Sequence, residues 1–328
     1  MSLSLTRRKL LGAALLAGGL PAVVRAQEFP SKMITMIVPY PAGGPADLIA
    51  RQMLPTLRRS LGQTVIVDNI AGAGGAVGIQ KALAAPADGH YLVIGTPSDV
   101  ILGPLTLTAV KHKPEQLRLL GLVSRAPLVL VGGAQGPARK LDDLLSAARN
   151  GGKEYTYGSI GIGSLYHLVA EDFAARQKLR MTHVPYKGVA PLLQDLIAGH
   201  VDLAFLPSAG NLVDMIGQGK LRPYAVTDSR RLARLPDVPT ITEAAGLKNF
   251  DYEIWGGPFV VRGVPDNVAQ RLNKAVNETL QEAEFRRQIE AGGSVVGAPM
   301  SLAEAERFLV DETARYRRLA QQVKVDPQ

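Results

Sequence analysis

The feature that most limits how this chain can fold is a repeated local order: a short apolar run, a loop of small residues, then a stretch with helical spacing. Ile34 to Pro39 reads as a buried strand. It empties into Pro41-Ala42-Gly43-Gly44, and a helical pattern follows through Asp47, Leu48, Arg51, Leu54 and Leu57 to Gly62, a natural helix stop. Pro55 lies inside that pattern and is expected to bend or interrupt the helix, since it lacks an N–H and crowds the preceding turn. Thr64 to Val67 gives a second strand, ending in Asn69 and Gly72-Ala73-Gly74-Gly75 ahead of a helix over Val77 to Ala85. Tyr91 to Ile94 gives a third, which runs into Thr96-Pro97-Ser98. Strands that alternate with helices imply parallel pairing with right-handed crossovers.

A second set has the same grammar. Leu128 to Val131 is a strand, Leu141 to Arg149 a helix, and the strand Tyr155 to Tyr157 leads through Ser159-Ile160-Gly161-Ile162-Gly163-Ser164 into a helix carrying His167, Glu171 and Phe173. Strand Thr182 to Val184 precedes Tyr186-Lys187-Gly188 and a helix from Pro191 to Ala198; Val201 to Leu206 and Pro223 to Thr227 are further strands. Beyond Pro236 and Pro239, Tyr252 to Val261 is strand-like and two helices close the chain. The last opens with a capping box, Ser301 to Glu304, and its Leu302, Phe308, Leu309, Tyr316 and Leu319 form an apolar stripe expected against the first sheet. The expectation is an α/β fold of two α/β domains joined by a two-crossing hinge. Domain 1 comprises residues 27–125 and 252–328, and domain 2 residues 126–251. A chain of 328 residues, 46% hydrophobic, can bury two such cores.

Residues 1–26 have the zones of an export signal: Arg7-Arg8-Lys9, an apolar stretch from Leu10 to Leu20, and a small-residue cleavage site at Val24-Arg25-Ala26. The pair Arg7-Arg8 leaves the general secretory and twin-arginine routes both open. The formal charge of +8 drops to +4 once the four cations of this segment are set aside, and basic residues are not interleaved with aromatics, which argues against nucleic acid. With no cysteine, disulfides, thiolate metal sites and Cys nucleophiles are excluded.

Loops at the carboxyl ends of strands face the ligand crevice of an open α/β sheet, and the helices they start offer unpaired N–H groups at a positive dipole end. Four such loops describe an anion cleft. Candidate ligand contacts are Ala42, Gly43, Gly44 and Asp47, then Ala73 and Gly74, Thr96 and Ser98, Ser159, Gly163, Ser164 and His167, and Tyr186 and Lys187. Asp47 serves equally well as a stabiliser of its own helical turn, and Ser164 as a helix cap. Lys187 is the only cation in the four loops, so neutral dipoles must do most of the holding. The spacing G-x-G-x-x-x-G after the second strand does not fit a dinucleotide site, and no cofactor is implied. Neither Ser159 nor Ser164 sits in G-x-S-x-G, though a hydrolase using one of them with His167 is the enzyme alternative. His167 and Glu171 share a helix face without a third metal ligand at a recognisable spacing. Trp255, the single tryptophan, either walls the cleft or packs in the hinge.

In these residues the chain resembles the receptors of tripartite tricarboxylate transporters, the Bug-type extracytoplasmic solute receptors. The resemblance rests on Ile37 to Gly44 with Asp47, Asn69 with Gly72 to Gly75, Tyr157-Gly158-Ser159 with Gly163-Ser164 and His167, and His183 to Gly188. Asp195-Leu196 with Gly199 to Asp202, and Pro236 to Thr240, complete it and add Asp202 to the expected contacts. It implies a two-domain binding protein of the α/β periplasmic-binding-protein type II fold, not an enzyme, that captures a small organic acid in the periplasm and hands it to membrane permease subunits; a monomer is the expectation for a delivery protein. A ligand sensor for a membrane signalling protein would share the fold. Pro45 departs from the pattern by removing an N–H at the first helix start.

Overall fold

The structure, a computed structural model, describes residues 28–323; the expected export segment, residues 1–26, lies outside them. Eleven strands form one connected, mixed sheet. In chain order its first part holds β1 (Ile34–Val38), α1 (Pro45–Leu61), β2 (Val65–Asn69), α2 (Ala76–Ala84), β3 (Tyr91–Gly95), α3 (Gly103–Thr106) and β4 (Leu117–Leu119). β1 lies between β2 and β3 and is parallel to both, as the strand-loop-helix order requires.

The chain continues through β5 (Ser124–Gly133), α4 (Leu141–Gly151), β6 (Tyr155–Ser159), α5 (Leu165–Gln177), β7 (Met181–Pro185), α6 (Val189–Ala198), β8 (Leu203–Pro207), α7 (Leu212–Gly217), β9 (Leu221–Val226) and α8 (Ile241–Ala245). It closes with β10 (Glu253–Val261), α9 (Asp266–Gln281), α10 (Ala283–Ala291), β11 (Val295–Val296) and α11 (Leu302–Val323). The main strand order is β2-β1-β3-β10-β5-β8-β6-β7.

β5 and β10 are the long strands, of 10 and 9 residues, and they join the halves. Glu253 to Gly256 pair antiparallel with Pro127 to Ser124. The rest of β10 pairs with β3 and β4, while the rest of β5 pairs with β8 and β9. Each strand therefore belongs to both halves.

α1 runs unbroken through Pro55, contrary to an interruption. Pro55 lies on the exposed face, where water can take the hydrogen bond its missing N–H would have given to Arg51. In α11 the capping box forms, Ser301 N–H donating to Glu304 (2.7 Å) and Glu304 N–H to Ser301 Oγ (3.2 Å). Leu302, Leu309, Tyr316 and Leu319 are buried, and Phe308 meets the Trp255 ring edge-on at 5.2 Å. The helix packs against β4 and α3 but also against α5 of the second half. Tyr316 Oη donates to the Glu253 carbonyl (3.0 Å), so α11 braces the strand where the halves meet.

Candidate functional site

A cavity lies between the halves at the carboxyl ends of the strands. Gly44, Pro45, Ala46, Ile94 and Thr96 line it from the first half, and Ile160, Tyr166, Val189 and Pro207 from the second. Ser124 of β5 and Ile254 and Trp255 of β10 form its floor. Trp255 thus fills both expected roles: its ring is buried against α11 with Nε1 donating to Glu312 (2.7 Å), and one side reaches the cavity.

The first loop turns at Gly43, whose φ of +81° is the left-handed region glycine tolerates. Gly43 N–H donates to Asp47 Oδ2 (2.9 Å), and Asp47 also receives Arg51 Nε (3.0 Å) and Asn69 Nδ2 (3.0 Å). Burial pushes its carboxyl pKa up, but the bonds from Arg51, Gly43 and Asn69 outweigh that and hold it below the ordinary value. Asp47 is therefore committed to shaping the loop. Gly44, the cap position of α1, supplies no side chain, and Pro45 at the first helical position has no N–H. The N–H groups of Ala46 and Asp47, which no earlier helical carbonyl can reach, stay available at a 17-residue helix start that borders the cavity.

Behind this wall lies a network spanning 59 residues of sequence. Tyr40 Oη donates to Asp99 Oδ2 (2.6 Å), Thr96 N–H to Asp99 Oδ1 (2.8 Å) and Thr96 Oγ1 to Asp99 Oδ2 (3.1 Å). Asp99 is buried, and burial lifts its carboxyl to about 7 even against these bonds. Sequence reasoning passed over it; the signal was the T-x-x-D spacing of a capping box, Thr96 to Asp99. The glycine-rich run wraps the same carboxyl: a Cβ on Gly75 would lie 2.7 Å from Asp99 Cβ. Ala73 and Gly74, at φ +45° and +61°, do not line the cavity; the Gly74 backbone instead meets Gly161 across the gap.

On the second half, Ser159 is fully buried. Its Oγ lies 2.7 Å from His183 Nε2 and accepts from Gly161 N–H (3.0 Å). Ser164 Oγ donates to the Gly161 carbonyl (2.7 Å) and caps α5 by accepting from His167 N–H (3.4 Å). Gly163 N–H donates to His167 Nδ1 (3.0 Å), which fixes that ring as the neutral Nε2–H tautomer. His167 stacks on His183 at 4.2 Å, and burial lowers both to about 4, His183 being lowered further by His167. The nearest partner of the buried serine is thus His183, not the His167 expected of a hydrolase.

Of the candidate contacts, Gly44 and Thr96 line the cavity. Ala42, Gly43 and Asp47 shape its first rim. Ser98 accepts from Leu165 N–H across the gap (3.2 Å). Tyr186 Oη donates to Asp195 (2.8 Å), and Lys187 is exposed beside it. Asp202 stands elsewhere: it receives Thr156 N–H (2.8 Å) at the amino end of β6, the opposite end of that strand from Ser159. Tyr166 and Ser124 were missed. Both are buried lining residues whose hydroxyls bond to no protein group among the described residues.

The family model described as the tripartite tricarboxylate transporter family receptor matches residues 49–325. The chain belongs to that family. The receptor is 32% identical to the protein BugT of Bordetella pertussis, over 93% of this chain and 94% of that one. Among solved structures it is similar to the periplasmic binding protein BugD, with a TM-score of 0.84 and 27% identity, covering 92% of this chain and all of that one. It is also similar to Rpa4515 of R. palustris, solved with adipate, with a TM-score of 0.86 and 29% identity over 92% of this chain and all of the other. The receptor is a solute-binding protein with the mixed α/β periplasmic-binding-protein fold and not an enzyme. Among the described residues, no helix is long and apolar enough to cross a membrane.

Proposed function

We propose that this receptor binds a small organic carboxylate in the cavity between its halves and delivers it to the membrane permease subunits of a tripartite transporter. It does so in the periplasm, as a monomer, after cleavage near Ala26. The observation that carries the reading is the uncapped start of α1 at a cavity whose lining residues include no Lys, Arg, His, Asp or Glu. A carboxylate there meets backbone N–H groups and a positive helix end, which hold it without a strong counter-charge and so permit release.

The hinge is β5 with β10, crossed near residues 125 and 252, and the expected domain limits follow from it. The halves press together at small residues: Gly161 on Gly74, Gly163 on Thr106, and Gly188 on Pro41, where a Cβ would lie 2.5 Å from Pro41 Cδ. A ligand touching both sides gains its full contacts only in this arrangement, so it favours closure by its differential affinity. The direct test is calorimetric titration with a panel of small organic acids, with X-ray scattering in parallel. Saturable binding that reduces the radius of gyration is expected. Absence of binding across the panel, or binding without compaction, would sink the reading.

A further inference from the structure

We infer that Tyr166 and Ser124 form the specificity subsite of the cavity, and that the acid it takes carries an uncharged oxygen, a hydroxyl or a carbonyl, on its carbon frame. This rests on the carboxylate-binding reading above and deepens it. Five lining residues carry a hydroxyl: Tyr40, Thr96, Ser124, Tyr166 and Ser294. Three are committed within the protein. Tyr40 Oη and Thr96 Oγ1 donate to Asp99 Oδ2 (2.6 and 3.1 Å), and Ser294 Oγ donates to the Ser208 carbonyl (3.4 Å). The Trp255 indole N–H is likewise taken by Glu312 (2.7 Å). Tyr166 and Ser124 remain, only 4% and 6% exposed, and neither hydroxyl bonds to a protein group among the described residues.

A ligand that fills the cavity displaces water from both hydroxyls, and a buried hydroxyl left without a partner is costly. Each is donor and acceptor at once. Together they can hold a ligand hydroxyl, donating from one and accepting at the other, or a carbonyl through two donated bonds. The charged end of an acid has better places, because the uncapped starts of α1 and α6 both border the cavity and present backbone N–H groups at positive helix ends. Acids with one carboxylate or two are served there, and a neutral oxygen is what suits Tyr166 and Ser124. Burial, and then the Asp99 carboxyl, push the Tyr166 phenol above its ordinary range, so it stays a neutral donor. Both positions are held firmly. Leu165 N–H donates to Ser98 Oγ of the first half (3.2 Å), which fixes the start of α5 beside Tyr166, and Ser124 pairs with Gly256 in the β5–β10 ladder. Rigid placement of this kind is what discrimination between near-identical ligands needs.

The test is titration calorimetry of the wild-type receptor, Tyr166→Phe and Ser124→Ala with two matched sets: glutarate against α-hydroxyglutarate and α-ketoglutarate, and benzoate against meta- and para-hydroxybenzoate. In at least one set the oxygen-bearing acid is expected to bind the wild type about tenfold or more tighter than its plain frame, the scale of one buried hydroxyl left unpaired. Each substitution should cut that preference about fivefold or more and leave the plain acid's affinity nearly unchanged. The hydroxy and keto members of the first set tell which oxygen is read. A substitution that weakens plain and oxygen-bearing acids equally shows that the hydroxyl holds the carboxylate itself, and overturns the inference while leaving carboxylate binding intact. Plain acids bound as tightly as their partners, or a preference that survives both substitutions, overturn it too. Refusal of every acid in both sets also overturns it, and the wider acid panel then decides the parent reading separately. Each variant deletes one oxygen, and an unchanged melting temperature of the free protein separates a lost contact from a lost fold; either folded variant is enough to decide.

Discussion

On the first-half side of the cavity, Asp99 is buried beneath Tyr40 and Thr96, and burial lifts its carboxyl to about 7. On the second-half side, His167 and His183 lie stacked behind the serine loop, and burial brings both to about 4. One cause acts with opposite signs, since removal from water penalises a charged carboxylate and a charged imidazolium alike. Near neutrality the histidines are therefore uncharged and Asp99 is partly so. The fixed field left at the cavity is that of the backbone at the uncapped starts of α1 and α6, a weaker and more reversible hold than a lysine or arginine would give.

The contrast has a signature in pH. The folded pKa of Asp99 is raised, so its stabilising contribution is full below about pH 4 and is lost as pH rises through about 7. The folded pKa of His167 is depressed, so its contribution is present above about 6.5 and is lost as pH falls toward about 4. The two oppose each other between those limits. Asp99→Asn mimics the protonated acid and should abolish the first slope, worth roughly 3 to 4 kcal/mol across the window, and so steepen acid sensitivity. Urea denaturation from pH 4 to 8 measures this, and an unchanged profile would remove Asp99 from the comparison.

The mirror variant is His167→Asn, which keeps an acceptor for Gly163 N–H but cannot take up a proton. It should relieve roughly 3 kcal/mol of stability loss between pH 6.5 and 4. If both variants shift the profile the same way, the opposition between the two sides is wrong.

A third experiment asks whether the two sides need to press together. Gly188 has an extended backbone, φ 170°, that alanine tolerates, and the atoms nearest the added methyl are those of Pro41 of the other half. Gly188→Ala should cost about 1–3 kcal/mol in the closed arrangement alone, weakening carboxylate binding roughly 10- to 100-fold with little change in the melting temperature of the free protein. Smaller still is the effect of Tyr166→Phe, which deletes a cavity hydroxyl with no protein partner. Binding should weaken about tenfold, near 1.5 kcal/mol, at unchanged stability; unaltered affinity would place the ligand away from α5.

The order of strands, small-residue loops and helices was legible along the chain because each rests on neighbours within a few residues: apolar runs, glycine at left-handed positions, proline and serine at helix starts. β5 and β10 were legible as strand-like runs at Leu128 to Val131 and Tyr252 to Val261, and the capping box of α11 as four adjacent residues. The family resemblance, too, rode on local motifs and their order. Asp202 entered through the family motif, yet it precedes β8 and bonds Thr156 at the amino end of β6, away from the carboxyl-end loops that border the cavity.

Side-chain destinations are another matter. Nothing local tells Tyr40 to bond Asp99, or His183 to meet Ser159, or leaves Tyr166 and Ser124 with open hydroxyls; those pairings need β1 beside β3 and β6 beside β7. Whether a loop residue builds the rim or lines the cavity depends on packing between segments far apart in the chain, and burial, which sets the charge state of Asp99 and the histidines, exists only once that packing is complete.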